Sequence, residues 1–113
     1  MQIDVNRVKI TITAPIEYVD VIREAACNKG AGVMGDYTHC SMSMKCIGTF
    51  KPTENANPFI GEADKMEVVE EEHLDIICQV DLVKDVLAEI RRVHPYEEPG
   101  IFIVPLIDED SFK

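Results

Sequence analysis

His94-Pro95-Tyr96-Glu97-Glu98-Pro99 is the stretch on which the fold turns. Ahead of it, Asp81 is a good helix N-cap, after which Val83, Val86, Leu87, Ile90 and Val93 form an apolar stripe at helical spacing. Pro95 forbids continuation of that helix, and Ile101 to Val104, beyond Pro99, is rich in β-branched residues. The run is therefore a helix stop that turns the chain into a last strand. It also gathers an imidazole, a phenol and two carboxylates on that stop.

Outward from this corner, patterning continues toward the N-terminus. Val8, Ile10 and Ile12 alternate with Lys9, Thr11 and Thr13, the period of a half-buried strand. Pro15 opens a segment with Val19, Ile22, Ala25 and Ala26 at helical spacing, and Gly30 supplies a left-handed stop, which predicts a helix from about Pro15 to Asn28. A second alternation between Tyr37 and Phe50 puts Cys40, Met42, Met44 and Cys46 on one face and His39, Ser41, Ser43 and Lys45 on the other. This predicts a second strand, bent at Gly48, with its Cys/Met face in the core. Lys51 to Gly61 holds two prolines, two asparagines and a glycine, the composition of a loop long enough to be functional. Met66 to Val69 reads as a short edge strand, and Glu70-Glu71-Glu72 as a solvated loop. His73 to Val80 reads as a third strand, with Leu74, Ile76, Cys78 and Val80 on one face and His73, Asp75, Ile77 and Gln79 on the other.

That order predicts an α+β chain, a ferredoxin-like βαββαβ sandwich with an extra hairpin or edge strand and two helices on one face of an antiparallel sheet. The opposite face, with Ile77 among Lys9, Thr11 and His73, has no helix to cover it and is expected to self-associate. With 113 residues, 46% of them hydrophobic, one domain over 1–113 is expected, its core at about 8–106 and Asp108-Glu109-Asp110 a solvated acidic tail.

Twenty-one acidic against eleven basic residues give a formal charge of -10, which argues against a nucleic-acid partner; Arg91-Arg92 is the only adjacent basic pair. No apolar run suits a bilayer span or a signal peptide, so a soluble, cytoplasmic protein without a membrane partner is expected. Cys27, Cys40, Cys46 and Cys78 show no zinc-finger or redox spacing and read as small buried hydrophobes.

Gly30-Ala31-Gly32-Val33-Met34-Gly35 fits G-x-G-x-x-G, but a helix precedes it and a strand follows, the reverse of the order that brings a helix N-terminus to a pyrophosphate. A helix end is the better reading. The Cys/Met alternation suits copper(I) chemically, yet its strict period favours packing. In the corner, His94 on the last helical turn is expected to be protonated, supported by the helix dipole and by Glu97 or Glu98, with Arg91 and Arg92 neutralising the carboxylates. No Ser-His-Asp or Cys-His arrangement, H-E-x-x-H or P-loop is present, so no catalytic residue is assigned and binding is favoured over catalysis.

The segments Gly30 to Gly35, Gly35 to Ser41, Gly48-Thr49-Phe50-Lys51-Pro52, Asn57-Pro58-Phe59-Ile60-Gly61 and His94 to Pro99, in that order, resemble the PII-like inserted domain of the Nif-three-like dinuclear-metal family, here as a stand-alone chain. His-Pro-Tyr-Glu followed by proline also resembles the CutA family. The resemblance implies a ferredoxin-like fold and a homotrimer with sheets around a three-fold axis. It implies no hydrolase, because the metal-binding residues of the Nif-three-like family lie in a flanking domain that this chain does not contain. Cys46 and Met42 depart from the family pattern, which often has glycine and an aromatic there.

The expectation is thus a homo-oligomeric, trimeric PII/CutA-like binding or regulatory protein whose small-molecule or metal ligand sits at subunit clefts. Candidate ligand-binding residues are His39, Lys51, Asn57, His94, Tyr96, Glu97 and Glu98. One alternative is a protein that binds a divalent metal, or a metal-dependent hydrolase, through His39, His94 and Glu97; another is a module that only oligomerises.

Overall fold

The computed structural model describes residues 3–112. Four strands, β1 (Arg7–Pro15), β2 (Met42–Phe50), β3 (Glu67–Gln79) and β4 (Gly100–Leu106), form an antiparallel sheet in the order β2-β3-β1-β4. Two helices, α1 (Val19–Asn28) and α2 (Val83–Val93), complete the expected ferredoxin-like βαββαβ order. Among the described residues no helix is long and apolar enough to cross a membrane.

The alternation in β1 does what its period predicts. Val8, Ile10, Ile12 and Ala14 point to the helices and pair in register with Cys78, Ile76, Leu74 and Glu72 of β3. Ile22 of α1 and Val86 and Ile90 of α2 close over them, so the core lies between the helices and the β1–β3 centre of the sheet. Each such aliphatic side chain contributes about 1.5–3 kcal/mol by leaving water. Both helices occupy this one face, and the other face is open.

Local detail departs from the sequence expectations in several places. Each helix is entered through a 3₁₀ turn, Ile16–Tyr18 and Val80–Leu82. The N-cap of α2 is therefore Leu82, without a side-chain cap bond, and Asp81 does not cap it. α1 ends at the expected glycine, and the strained link beyond it depends on Gly32 (φ +77), where a Cβ would press on the backbone of Cys40. That link, tied by Gly32 N–H to Ile77 O at 2.7 Å, uses the whole G-x-G-x-x-G segment as connection, as the helix-end reading expects. β2 begins at Met42 rather than Tyr37, because Tyr37 turns back on Met34 through a pair of 2.9 Å hydrogen bonds and His39 takes a left-handed φ of 58°.

The largest correction concerns β3. Met66 to Val69, the glutamate run and His73 to Val80 are not strand, loop and strand but one thirteen-residue strand that carries Glu70-Glu71-Glu72 through its middle. Alternation permits this: Glu70 and Glu72 share the helix-side parity of Leu74, whereas Glu71 lies on the open face with His73. The first half of β3 and all of β2 form a hairpin that runs past the helices. Met42 and Met44 on its open side and Ile47 on its helix side are therefore exposed, contrary to the expectation of a buried Cys/Met face. Of the cysteines only Cys27 and Cys78 are buried; Cys40 and Cys46 are half-buried. The acidic tail is likewise anchored, since Asp108 accepts from Arg7 (Nη2–Oδ1 2.9 Å) and Asn6, bonds that hold its carboxyl below the ordinary range.

Candidate functional site

The corner from His94 to Pro99 meets the root of the hairpin at one end of the open face. Pro95 forces the residue before it into extended backbone, so α2 stops and His94 (φ −72, ψ 134) turns its ring under the sheet. It is 7% exposed. Nε2 lies 2.9 Å from the carbonyl of Thr13, and Nδ1 accepts the N–H of Tyr96 at 3.1 Å. A single neutral tautomer, with the proton on Nε2, satisfies both bonds. Burial lowers the pKa, and the Thr13 carbonyl and the charge of Glu71 only partly oppose it. The expected protonated imidazole is thus replaced by a neutral one that pins the corner to β1.

Tyr96 is the hinge of the site. Its ring stands 5.0 Å from that of His94, 6.4 Å from Phe50 at the end of β2 and 6.3 Å from Phe59 in the long loop. Phe59 in turn meets Tyr18 edge-on at 5.9 Å. The Tyr96 hydroxyl donates to Oε2 of Glu71 at 2.8 Å. Burial, and then that bond, push the phenol well above its ordinary pKa, so it stays a donor. Glu71 is a carboxylate only 7% exposed, set opposite Cys46 on the open face. Gly48 leaves room for it, because any side chain there would collide with Oε1. Oε2 takes the Tyr96 hydroxyl, Oε1 packs against Gly48, and the side chain borders the adjoining cleft.

That cleft has a volume of about 570 Å³. Phe50, Phe59, Tyr96, Pro52 and Pro58 give it an apolar wall, Thr13 and Thr49 hydroxyls, and Glu71, Glu97, Glu98 and Lys51 charges. The loop between β2 and β3 closes one side: Asp64 N–H to Pro52 O at 2.7 Å folds it back on itself, and Asn57 N–H to Glu97 Oε2 at 2.7 Å ties it to the corner.

Six of the seven predicted ligand-binding residues meet here. Lys51, Tyr96, Glu97 and Glu98 line the cleft, Asn57 fastens its loop, and His94 braces Tyr96 from beneath. His39 is not among them; it lies against α1, with Nε2 3.6 Å from Glu24 and Nδ1 3.0 Å from the Thr38 hydroxyl. The expected neutralisation of both carboxylates by Arg91 and Arg92 is only half present. Arg91 reaches Glu98 at 3.9 Å, whereas Arg92 pairs with Glu89 at 2.9 Å. Among the described residues no group of three or more His, Cys, Asp or Glu is placed to hold a metal ion. Sequence reasoning missed Glu71 and Gly48. Their signal was there in the alternation, which continues unbroken through the glutamate run and sets the middle glutamate on the side opposite its neighbours.

Away from the cleft, the open face carries a second polar cluster. Asp75 Oδ1 accepts from the Thr11 hydroxyl at 2.6 Å and lies 2.9 Å from His73 Nε2. Burial works against that carboxylate's charge, but the two bonds outweigh it and hold its pKa below the ordinary value.

No protein-family model matches the chain. It is 40% identical over 98 residues to a protein of Bacillus subtilis named GTP cyclohydrolase 1 type 2 homolog, covering 87% of this chain and 26% of that protein. A protein of the same name from Mycobacterium tuberculosis is 37% identical over 99 residues, with 88% and 26% covered. The chain spans about a quarter of the length of these relatives. Among solved structures, a Bacillus cereus protein related to NIF3 superposes with a TM-score of 0.78 at 30% identity, over 90% of this chain and 26% of that one. The divalent cation tolerance protein CutA of Archaeoglobus fulgidus superposes at 0.65 and 22% identity, over 88% and 83%, which shows a shared fold.

Proposed function

We propose that this chain, homologous to about a quarter of each Nif-three-like relative and sharing the CutA fold, is a trimeric binding protein that holds a small ligand in the corner cleft. The observation that carries the reading is unspent surface. The accessible area is 7572 Å², against about 6,200 Å² for a compact monomer of this mass. The radius of gyration is 15.8 Å, against about 13 Å for a compact chain of this length. The excess comes from the hairpin and the open face, where Met42 is 71% and Phe102 63% exposed at opposite edges of the sheet. Apolar edges around a polar centre of Thr11, His73 and Asp75 suit contact between copies, with sheets turned inward as the PII/CutA resemblance implies.

The cleft opens beside that face, so in an assembly it lies at a subunit boundary, where ligand binding and association are coupled. The role is binding, not the reaction in the relatives' names: Tyr96 is held protonated, His94 is spent on two structural bonds, and among the described residues no activated nucleophile adjoins them.

Light scattering at micromolar concentration tests the assembly. The expected mass is three times 12.7 kDa, and Met42→Asp combined with Phe102→Asp is expected to give a folded monomer. A monomeric unmutated chain overturns the trimer.

A further inference from the structure

The chemistry of the corner cleft selects among ligands, and we propose that it binds a small organic cation, a protonated amine or cationic heterocycle carried on a flat apolar body. This rests on the cleft being a ligand site. It adds the charge and shape of what enters.

Three features of the cleft converge on that class. First, Glu71 lines the cleft with a carboxylate while being only 7% exposed. Tyr96 holds Oε2 and Oε1 packs against Gly48, so the carboxylate is fixed in orientation at the wall of the cleft. A charge so placed is best met by a donor of opposite sign. Second, Phe50, Phe59 and Tyr96 line the same cleft with aromatic rings, whose faces attract a cation and stack on a planar body. Third, the charged lining residues are Glu71, Glu97 and Glu98 against Lys51, a negative balance in a chain of net charge -10. A volume of about 570 Å³ falls within the range of small-molecule sites.

The same features count against other occupants. An anion would face three carboxylates. A bare divalent ion would need six or so oxygen ligands, or nitrogen and sulfur donors, where the walls offer ring carbon; both nitrogens of His94 are already engaged.

Three probes of one shape separate the cases at pH 7: phenethylammonium, neutral 2-phenylethanol and anionic 3-phenylpropanoate, titrated into the full chain by calorimetry and by amide NMR. The expected result is saturable binding of phenethylammonium, with shifts at Gly48, Phe59 and Tyr96, and binding of the other two weaker by about tenfold or more. Glu71→Gln keeps an acceptor for the Tyr96 hydroxyl and is expected to lose about tenfold for the cation alone. Phe59→Leu, which leaves Glu71 untouched, is expected to weaken the cation more than the alcohol. Equal binding of the three probes, or a preference for the anion, with shifts confined to the cleft, overturns the cation assignment and leaves the cleft reading standing. Absence of saturable binding by any of them overturns both.

Discussion

β1 and β2 carry the same alternation and meet opposite fates. In β1 the apolar set Val8, Ile10, Ile12 and Ala14 lies beneath two helices and is withdrawn from water. In β2 the set Met42, Met44 and Cys46 faces away from those helices, and Ile47, which does share their side, sits beyond their reach. Alternation sets the strand and sorts its faces; what covers a face is decided by neighbours that the strand's own residues do not specify. The molecule is thus half closed core and half open arm, and the cleft lies on the arm's side of the line.

The hardest blow to that contrast should fall in the closed half. Ile76→Ala removes a side chain only 1% exposed between β1 and the helices, and is expected to cost about 2–5 kcal/mol in urea unfolding, with the urea dependence unchanged. A cost under about 1 kcal/mol would mean that the helices do not pack on this face as described.

Tyr96→Phe sharpens the line between the halves. It withdraws the donor from Glu71, a buried carboxylate on the open side, and is expected to cost about 1–3 kcal/mol. A neutral outcome would show that solvent or a neighbouring copy already serves that oxygen.

The fold was legible because its core is local pattern: three strand alternations, two apolar helical stripes and a proline that ends the second helix. The cleft was legible only in part. The His94 to Pro99 run and the Lys51 to Gly61 loop are marked by composition, and the structure brings them together through Asn57 and Glu97. The protonation of His94 was misjudged because the sequence shows a helix C-terminus and nearby acids, whereas desolvation by burial dominates. Glu71 was hidden for a similar reason, since a glutamate run looks solvated until register assigns one member to a cleft. His39 was named with the corner from the Gly35 to Ser41 segment, and a sequence segment carries no distance; the structure sets it beside Glu24 of α1.

His94 supplies a pH test of the closed half. Its folded pKa lies below the ordinary 6.5, so the unfolded chain takes up the proton first as pH falls. Its share of stability is complete above about pH 6.5 and declines below it, with a slope of at most about 1.4 kcal/mol per pH unit for one proton. Asp75 and Asp108, whose carboxyls are held low, keep their share down to the carboxylate range and lose it only as pH falls through their folded values. The expected result is that His94→Gln flattens the stability profile just below about pH 6.5 and leaves the more acidic, carboxylate limb in place. An unchanged slope would mean that the imidazole is already charged in the fold.

The smallest effect is the most telling about the arm. Ile47 is 71% exposed, so in a lone chain Ile47→Ala removes almost no buried surface and should change stability by less than about 0.5 kcal/mol. In a trimer whose arms reach neighbouring copies, the same substitution acts through association, and its cost grows with protein concentration. Unfolding at two concentrations, one below and one above dissociation, therefore separates an arm that is simply exposed from one that is covered by a copy. A cost that is large and equal at both would place the arm against its own chain, and the contrast between β1 and β2 would have to be redrawn.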